Sequence, residues 1–241
     1  MNTKTNVLQV CDLNVETIKK DIKNIHLGVY PPTGRVRVAA PLKTTDEAIE
    51  LLVISKMSWI QKQQSKFIKQ ERQPKREYVS GESHYFFGRR YLLNVQKTED
   101  KPRVEIKRTK YIDLYVKEDT NHKKKEKIIE DFYRSKIKKQ IPNLLEKWQK
   151  LIGVKVNEVR IKKMKTKWGS CNPKAKRIWL NLELAKKPLH CMEYVMVHEM
   201  LHFIEKNHSD KFRYLISSYL PQWDQNKKEL NNSILSYSRW R

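Results

Sequence analysis

Several kinds of residue are scarce in this chain of 241 residues, and each scarcity argues against a class of protein. Only three cysteines occur, at positions 11, 171 and 191, and an odd, irregularly spaced number argues against a disulfide framework. Six glycines and nine prolines are too few for a linker-rich or disordered chain. No apolar run approaches the roughly 20 residues that span a bilayer, and the N-terminus lacks the apolar stretch of a signal peptide. We therefore expect a soluble cytoplasmic protein that does not enter a membrane.

Acidic residues are scarce relative to basic ones. The chain holds 51 Lys and Arg against 27 Asp and Glu, which gives a formal net charge of +24. A positive field of this size attracts polyanions such as nucleic acid or nucleotides. Hydrophobic residues make up 39% of the chain, which is enough to build a packed core. The composition predicts a folded, strongly basic protein for which an anionic partner or substrate must be considered.

The N-terminal part has the pattern of a hairpin followed by a helix. Alternating apolar residues over 22–42 flank the turn-forming sequence Pro-Pro-Thr-Gly at 31–34. The sequence Thr-Thr-Asp-Glu at 44–47 then offers a helix cap and first-turn acids. Apolar residues at helical spacing continue to about residue 69, so one helix is predicted there.

Strands come first and helices mostly later in the rest of the chain. Four further segments are predicted as strands: 85–95, 103–116, 156–163 and 177–182. An amphipathic pattern over 125–151 predicts a long helix, which Pro142 is expected to break in two. Two or three helices follow from Pro188 onward. The sequence therefore predicts an α+β fold with small antiparallel sheets.

One motif carries recognisable chemistry: His-Glu-Met-Leu-His at residues 198–202. On a helix, residues four apart share a face, so His198 and His202 can direct two imidazoles at one metal ion. Zinc is the expected metal because it favours imidazole nitrogen, although another divalent ion would also bind such ligands. Glu199 projects beside the ion and can act as general base toward a water whose pKa the metal lowers to about 7.

A third histidine follows at a workable distance. His208 would point away from the pair if the helix simply continued, but Asn207 is predicted to end the helix as a left-handed cap. Ser209 is then the natural N-cap of the next helix. The turn would let His208 approach the metal, and three protein ligands plus one open position are typical of catalytic zinc.

The other candidate positions are interpreted more plainly. His26, His84 and His122 have no ligand-like neighbours in sequence and are expected to be surface residues, and His190 to be structural. The segment 168–171, Trp-Gly-Ser-Cys, has two interpretations. In the functional one, the glycine lets the backbone approach a substrate and Cys171 is reactive. A packed Trp168 and a buried, inert Cys171 are favoured. A positive rim to the cleft is expected from Arg160, Lys163, Lys165 and Lys167.

Taken together, these motifs resemble a known family. Besides the three histidines and the Ser-Asp-Lys-Phe at 209–212, four segments contribute: Gly-Arg-Val-Arg-Val-Ala-Ala-Pro at 34–41, Gly-Arg-Arg-Tyr at 88–91, Lys-Trp-Gly-Ser-Cys at 167–171 and Ile-Trp-Leu-Asn at 178–181. The chain resembles the YgjP-like metal-dependent hydrolases, relatives of the SprT-like zincin metallopeptidases. The metzincins are a poorer match, because Glu205 stands where their pattern has glycine.

The resemblance implies a fold and a site. It implies a zincin-like core over 121–241, with an active-site helix packed on a small antiparallel sheet whose edge strand borders the cleft. Residues 1–120 would form a basic N-terminal α+β region of hairpins and one helix. The implied ligands of one zinc ion per chain are His198, His202 and His208, and Glu199 is the implied catalytic residue.

Three functions remain open at this point. The leading hypothesis is a zinc-dependent hydrolase of the metallopeptidase type, acting on a peptide or protein. The second keeps the site but cleaves the phosphoanhydride of an anionic nucleotide, although the chain has no phosphate-binding G-x-x-x-x-G-K-[ST] loop. The third is nucleic-acid binding, alone or as a DNA-associated protease. It rests on basic clusters interleaved with aromatic residues: 62–76, 107–110 and 123–139, with Phe67, Tyr111, Phe132 and Tyr133.

Overall fold

The computed structural model describes residues 5–30, 33–69, 76–107, 110–164 and 167–232. Contacts divide the chain into two compact units between residues 73 and 74, and each unit has its own hydrophobic core. The sequence pattern places the division after residue 120 instead. The strands that precede residue 120 share a core with the helices that follow it, because Leu93 and Leu114 are buried in the same cluster as Met196.

The described part of the first unit is a four-stranded sheet with two helices: β1 (Thr5–Val10), β2 (Leu13–Lys20), β3 (His26–Tyr30), β4 (Arg35–Pro41), α1 (Asp46–Ser55) and α2 (Met57–Lys69). The strand order is β1-β2-β4-β3, with β2 and β4 parallel. β3 and β4 form the predicted hairpin, whose turn residues 31–32 lie outside the described residues. Thr45 caps α1 as predicted, but Lys56 divides the single predicted helix into two.

The second unit begins with another four-stranded sheet: β5 (Ser83–Phe86), β6 (Arg89–Lys97), β7 (Arg103–Glu105) and β8 (Tyr111–Val116), in the order β5-β6-β8-β7. A long helix, α3 (His122–Ile152), follows and runs through Pro142 without the predicted break. Pro142 is exposed, whereas Ile137, Ile141 and Trp148 on either side are buried. Their packing offsets the hydrogen bond that proline cannot donate.

A three-stranded sheet precedes the helices of the C-terminal part: β9 (Glu158–Lys162), β10 (Gly169–Asn172) and β11 (Arg177–Asn181). Its order is β10-β11-β9, and β9 and β11 are parallel, so the prediction of small antiparallel sheets was wrong. All three sheets of the described chain mix both pairings. After β9 the chain crosses to the opposite edge of the sheet and forms β10. It then returns antiparallel to β10 as the central strand β11, which therefore runs parallel to β9.

A buried amide holds the crossing segment between β9 and β10. Asn181 is 4% exposed, and its side-chain nitrogen donates to the carbonyls of Met164 and Lys167 at 2.9 and 2.7 Å. Its side-chain oxygen accepts from the Met164 amide at 3.2 Å. These bonds satisfy backbone groups that the sheet leaves unpaired, and they fix the start of β10 beside the helix that follows.

Three helices complete the described chain after a 3₁₀ turn at Leu182–Lys186: α4 (Leu189–Leu201), α5 (Asp210–Tyr219) and α6 (Trp223–Asn232). α4 is buried almost all round, by β10 and β11 on one side and α3, α5 and α6 on others. A helix that is apolar on every face lies inside a core, so its polar residues are under strong constraint. Among the described residues, no helix has the length and apolar character needed to cross a membrane.

Candidate active site

Three imidazoles converge at the C-terminal end of α4. The Nε2 atom of His198 lies 3.2 Å from that of His202 and 3.0 Å from that of His208. The ring centroids of the three side chains are 4.8 to 4.9 Å apart. The fold therefore brings together all three residues that the sequence proposes as metal ligands. One nitrogen of each ring faces the other two rings.

The helix ends earlier than the sequence predicts, and this is what brings His208 into the cluster. α4 stops at Leu201, and the amides of Ile204 and Glu205 both donate to the Leu201 carbonyl at 2.9 Å. Asn207 was predicted to end the helix in a left-handed conformation, but it is not among the described residues with positive φ. The predicted cap of the next helix is confirmed, because the Ser209 side chain accepts a hydrogen bond from the Phe212 amide.

Backbone contacts select the form of one imidazole. His202 Nδ1 lies 3.0 Å from the Glu205 carbonyl oxygen, which can only accept, so Nδ1 carries the proton and Nε2 presents a lone pair. His198 Nδ1 is buried and has no hydrogen-bond partner in the described chain. A cation at Nε2 of His198 would fix that ring in the same form.

The electrostatic setting disfavours the charged forms of His198 and His208. Burial, together with the neighbouring His202 and His208, lowers the pKa of His198 to about 3. Burial also lowers the pKa of His208, again with a contribution from His202. In tetrahedral zinc sites with Zn–N bonds of about 2.0–2.1 Å, ligand nitrogens lie roughly 3.3 Å apart. The distances of 3.2 and 3.0 Å from His198 Nε2 to those of His202 and His208 therefore fit a divalent cation with little adjustment.

The Phe212 ring contacts all three imidazoles of the cluster. This ring is 3% exposed, stacks on His202 at 4.7 Å between centroids, and meets His198 and His208 edge-on at 5.0 and 4.9 Å. Sequence reasoning assigns Phe212 no role. Its spacing is the available signal, since it lies four positions after His208 and falls in the first turn of α5 beside the Ser209 cap.

Glu199 is buried against β10, one residue after the first histidine. It is 7% exposed, and burial raises its pKa to about 7, partly offset by a hydrogen bond from Cys171 and by the charge of Lys167. A Cβ atom on Gly169 would lie 2.8 Å from Glu199 Oε1 and 2.7 Å from Val195 Cγ1. The glycine that was considered as a point of substrate approach thus makes room for the Glu199 side chain.

Cys171 touches the same carboxyl group. Burial raises the pKa of this thiol to about 12, with a further contribution from Glu199, so it is protonated and donates a hydrogen bond to that carboxylate. The sequence interpretation of Cys171 as an inert buried side chain omits this contact. Trp168 packs against the core as expected, with the Lys187 ammonium 5.6 Å from its ring centroid.

The predicted positive rim is only partly realised. Lys163 pairs with Glu126 and Glu130 of α3, at 3.1 and 2.6 Å, and Arg160 pairs with Glu158. Lys165 lies outside the described residues. Lys167 is exposed and acts electrostatically on Glu199, so it is the predicted rim cation that faces the site.

The remaining histidines differ in their settings. His26 is exposed, as expected, but His84 is 3% exposed, so the prediction of a surface residue was wrong there. His122 is half-buried and donates from Nε2 to the Arg76 carbonyl at 2.7 Å. His190 bonds to Glu229 of α6, with 2.6 Å between Nε2 and Oε2. None of these four joins the cluster around His198.

Comparison with known proteins agrees with the resemblance in sequence. The family model of the YgjP-like metallopeptidase domain matches residues 23–233. No curated protein matches the chain. Two similar solved structures are the metallopeptidase zymogens abylysin of Pyrococcus abyssi and jannalysin of Methanocaldococcus jannaschii. Abylysin is 21% identical, with a TM-score of 0.34 over 39% of this chain and 99% of that one. Jannalysin is 23% identical, with a TM-score of 0.35 over 38% and 88%. Since the family model covers most of its length, the chain belongs to the YgjP-like metallopeptidase-domain family.

Proposed function

We propose that this protein is a zinc-dependent peptidase that holds one ion per chain with Nε2 of His198, His202 and His208. The family implies a divalent metal, and imidazole ligands favour zinc among the common ones. The observation that carries the proposal is the convergence of three imidazoles, with Nε2 of His198 lying 3.2 Å from that of His202 and 3.0 Å from that of His208. The zincin-like arrangement of α4 beside the edge strand β10 is part of the same proposal.

Glu199 is the proposed general base and acid. When bound, the zinc ion would polarise the peptide carbonyl and lower the pKa of the attacking water. Glu199 takes one proton from that water as the carbon–oxygen bond forms, and gives it to the leaving amine as the carbon–nitrogen bond breaks. One water is consumed, and a carboxylic acid and an amine are released.

The residues around Glu199 would prepare it for this role. The Cys171 thiol donates to the carboxylate, which orients it, and Gly169 leaves the space that the side chain occupies. Burial excludes bulk water from the carboxyl group and raises its pKa. A proton taken from water is therefore held more strongly than by an exposed carboxylate, and it remains close to the leaving group.

The test is Glu199→Gln in the zinc-loaded protein, assayed side by side on unstructured peptides and on nucleoside triphosphates. We expect wild type to cleave peptides, and the variant to keep its zinc while kcat falls by about 10²–10⁴-fold. Glu193→Gln on the same helix is the matched control for removing a carboxylate from α4. Full peptidase activity in Glu199→Gln would overturn the assigned role, and release of phosphate without proteolysis would favour the nucleotide alternative.

Polyanion binding is a second candidate function, supported by the surface of α3. Lys123, Lys124, Lys127, Lys138 and Lys139 are exposed and form no ion pair with any residue that the structure describes. An unpaired basic stripe of this kind binds phosphates non-specifically. We expect binding of single-stranded DNA that weakens steeply with salt, and an affinity independent of salt would exclude this function.

Base stacking, which the sequence suggested for this surface, has less support. Phe132 is 9% exposed and Tyr133 2%, so both belong to the core rather than to a stacking platform. Tyr111 is 39% exposed, so one of the proposed aromatic residues is accessible to a base. The side chain of Phe67, residues 70–75 and residues 108–109 lie outside the described part of the chain. The case for nucleic acid thus depends on charge.

A further inference from the structure

A second group of potential metal ligands lies where the start of α4 contacts α6. His190 and Cys191 belong to the first turn of α4, and Glu229 belongs to α6. One ligand atom from each of the three residues lies within 4.8 Å of the other two. The group shares no residue with the histidine cluster at the opposite end of α4.

Both α4 residues reach α6, although neighbouring positions of a helix point in different directions. His190 Nε2 lies 2.6 Å from Glu229 Oε2. The Cys191 sulfur lies 4.0 Å from the carbonyl oxygen of Asn226, which is three residues before Glu229 on α6. α6 therefore crosses the start of α4 so that the carboxylate of Glu229 comes near both the imidazole and the thiol.

The three positions differ in exposure in a way that suits a surface metal site. Cys191 is fully buried, whereas the side chains of His190 and Glu229 are 46% and 44% exposed. An ion would therefore meet the two exposed ligands first, and would reach the sulfur only as their side chains move apart. The cysteine beneath the pair distinguishes this group from an ordinary imidazole–carboxylate pair on the surface.

We propose that His190, Cys191 and Glu229 form a second metal site, which takes zinc or a cation of similar ligand preference and clamps α6 to α4. One nitrogen, one sulfur and one oxygen ligand form a donor set that zinc and cobalt(II) accept and that magnesium and calcium do not. Three protein ligands leave the fourth, solvent-facing position to water.

Metal binding requires adjustment in two directions: the His190–Glu229 pair must open, and any pair near the 4.8 Å limit of the group must close. In tetrahedral zinc with the usual bond lengths, ligand atoms lie roughly 3.3–3.6 Å apart. The His190–Glu229 pair at 2.6 Å must open by less than about 1 Å, which is inexpensive for exposed side chains. The ion takes the place of the hydrogen bond between them.

The proton balance follows from the thiol. Burial raises the pKa of Cys191 to about 12, with a contribution from Glu229, so the free protein holds the thiol protonated. Metal binding releases that proton to solvent, because the thiolate is the ligand. Lys187 interacts electrostatically with Cys191 and opposes a cation there, but burial lowers the pKa of this lysine to about 8, so its charge is lost readily as pH rises.

The experiment uses the full chain with His198→Ala/His202→Ala, which removes two ligands of the first site. After equilibration with zinc and gel filtration, we expect about one equivalent to remain, measured by elemental analysis. With cobalt(II) instead, we expect the near-ultraviolet charge-transfer absorption of a cobalt–thiolate bond. No zinc retained and no such absorption in this background would overturn the second site. If the double variant retains as much zinc as wild type, the histidine cluster binds none in wild type. That outcome would contradict the first site and leave the second site standing.

Substitutions at the ligands then identify the site. In the same background, His190→Gln and Glu229→Gln change exposed side chains and are expected to leave the fold intact while weakening zinc binding at least tenfold or so. Cys191→Ser should abolish the charge-transfer band, and Cys171→Ser should preserve it. His26→Gln is the matched control for an exposed histidine of the first unit. Zinc binding that survives both His190→Gln and Glu229→Gln would overturn the proposal even if Cys191→Ser failed to fold.

Discussion

The carboxylate of Glu199 occupies the space that a side chain at Gly169 would need. A Cβ atom there would come within 2.8 Å of Oε1, closer than such atoms approach in proteins. The close approach of α4 to the edge strand β10 therefore requires glycine at position 169. The Trp-Gly-Ser-Cys segment and the histidine motif, separated by 26 residues in sequence, form parts of one site.

Gly169→Ala is expected to displace Glu199 and leave the metal cluster in place. The overpacked side chain should cost about 1–3 kcal/mol of unfolding free energy and lower kcat at least tenfold, with zinc content unchanged. Urea unfolding, peptidase assay and elemental analysis measure the three quantities. Gly153→Ala is the control for kcat and zinc content, because no atom lies within 4 Å of its Cβ position. Its unfolding free energy is expected to fall as well, since Gly153 ends α3 with a φ of 75° that alanine adopts only with strain. Equal kcat in wild type and Gly169→Ala would show that Glu199 needs no such space.

Cys171 is expected to act on peptidase activity through Glu199. Cys171→Ala removes the donor to the carboxylate and should lower kcat by about tenfold, since an oriented hydrogen bond of this type contributes about 1–1.5 kcal/mol. Cys171→Ser retains a donor and should recover most of the loss. The comparison uses kcat and KM on one peptide. If alanine and serine variants behave alike, the thiol fills space and does not position the carboxylate.

The three cysteines should differ widely in alkylation rate. Burial raises the pKa of Cys171 and of Cys191 to about 12, so both thiols stay almost wholly protonated at pH 8. Cys11 is exposed and should react first. Iodoacetamide labelling of the folded protein, followed by peptide mass spectrometry, ranks the three. Rapid labelling of Cys171 would contradict its protonated, hydrogen-bonded state.

Phe212→Leu is expected to weaken zinc binding without removing a ligand. The leucine side chain cannot contact all three imidazoles, so their orientation loosens, and a loss of about 10–100-fold in affinity is typical of such supporting positions. Competition with a chromophoric chelator gives the affinity. Phe132→Leu, in the core of α3, is the control for a buried phenylalanine that does not touch the cluster. Similar affinities for both variants would mean that Phe212 serves packing only.

His84 should make the protein sensitive to acid. Burial, together with the charges of Arg76 and Lys186, lowers its pKa from 6.5 to about 3. Between these values the unfolded chain binds a proton that the folded chain does not, so stability falls as pH falls, by at most about 1.4 kcal/mol per pH unit. His84→Leu should flatten the fall between pH 6 and 4 in denaturant titrations, and His26→Leu should not. A slope unchanged by His84→Leu would show that other groups govern acid unfolding.

Local sequence rules account for much of the candidate site. The spacing of His198 and His202 places both on one helix face, and Ser209 begins the next helix through its own side chain, because both effects act over one turn of backbone. The hairpin of β3 and β4 and the cap at Thr45 follow from short-range signals in the same way. Membership of the family follows from motifs spread along most of the chain.

Tertiary packing decided the rest. α4 ends early in a turn where two amides share the Leu201 carbonyl and the Glu205 carbonyl accepts from His202. The uninterrupted course of α3 through Pro142 depends on the core on either side, and the parallel pairing of β9 with β11 depends on where the chain crosses the sheet. The role of Phe212 and the fit of Gly169 to Glu199 depend on elements that are distant in sequence. Spacing along one helix fixes which side chains share a face, whereas contacts between elements depend on side-chain volume and on buried polar groups that must find partners, which only the assembled core determines.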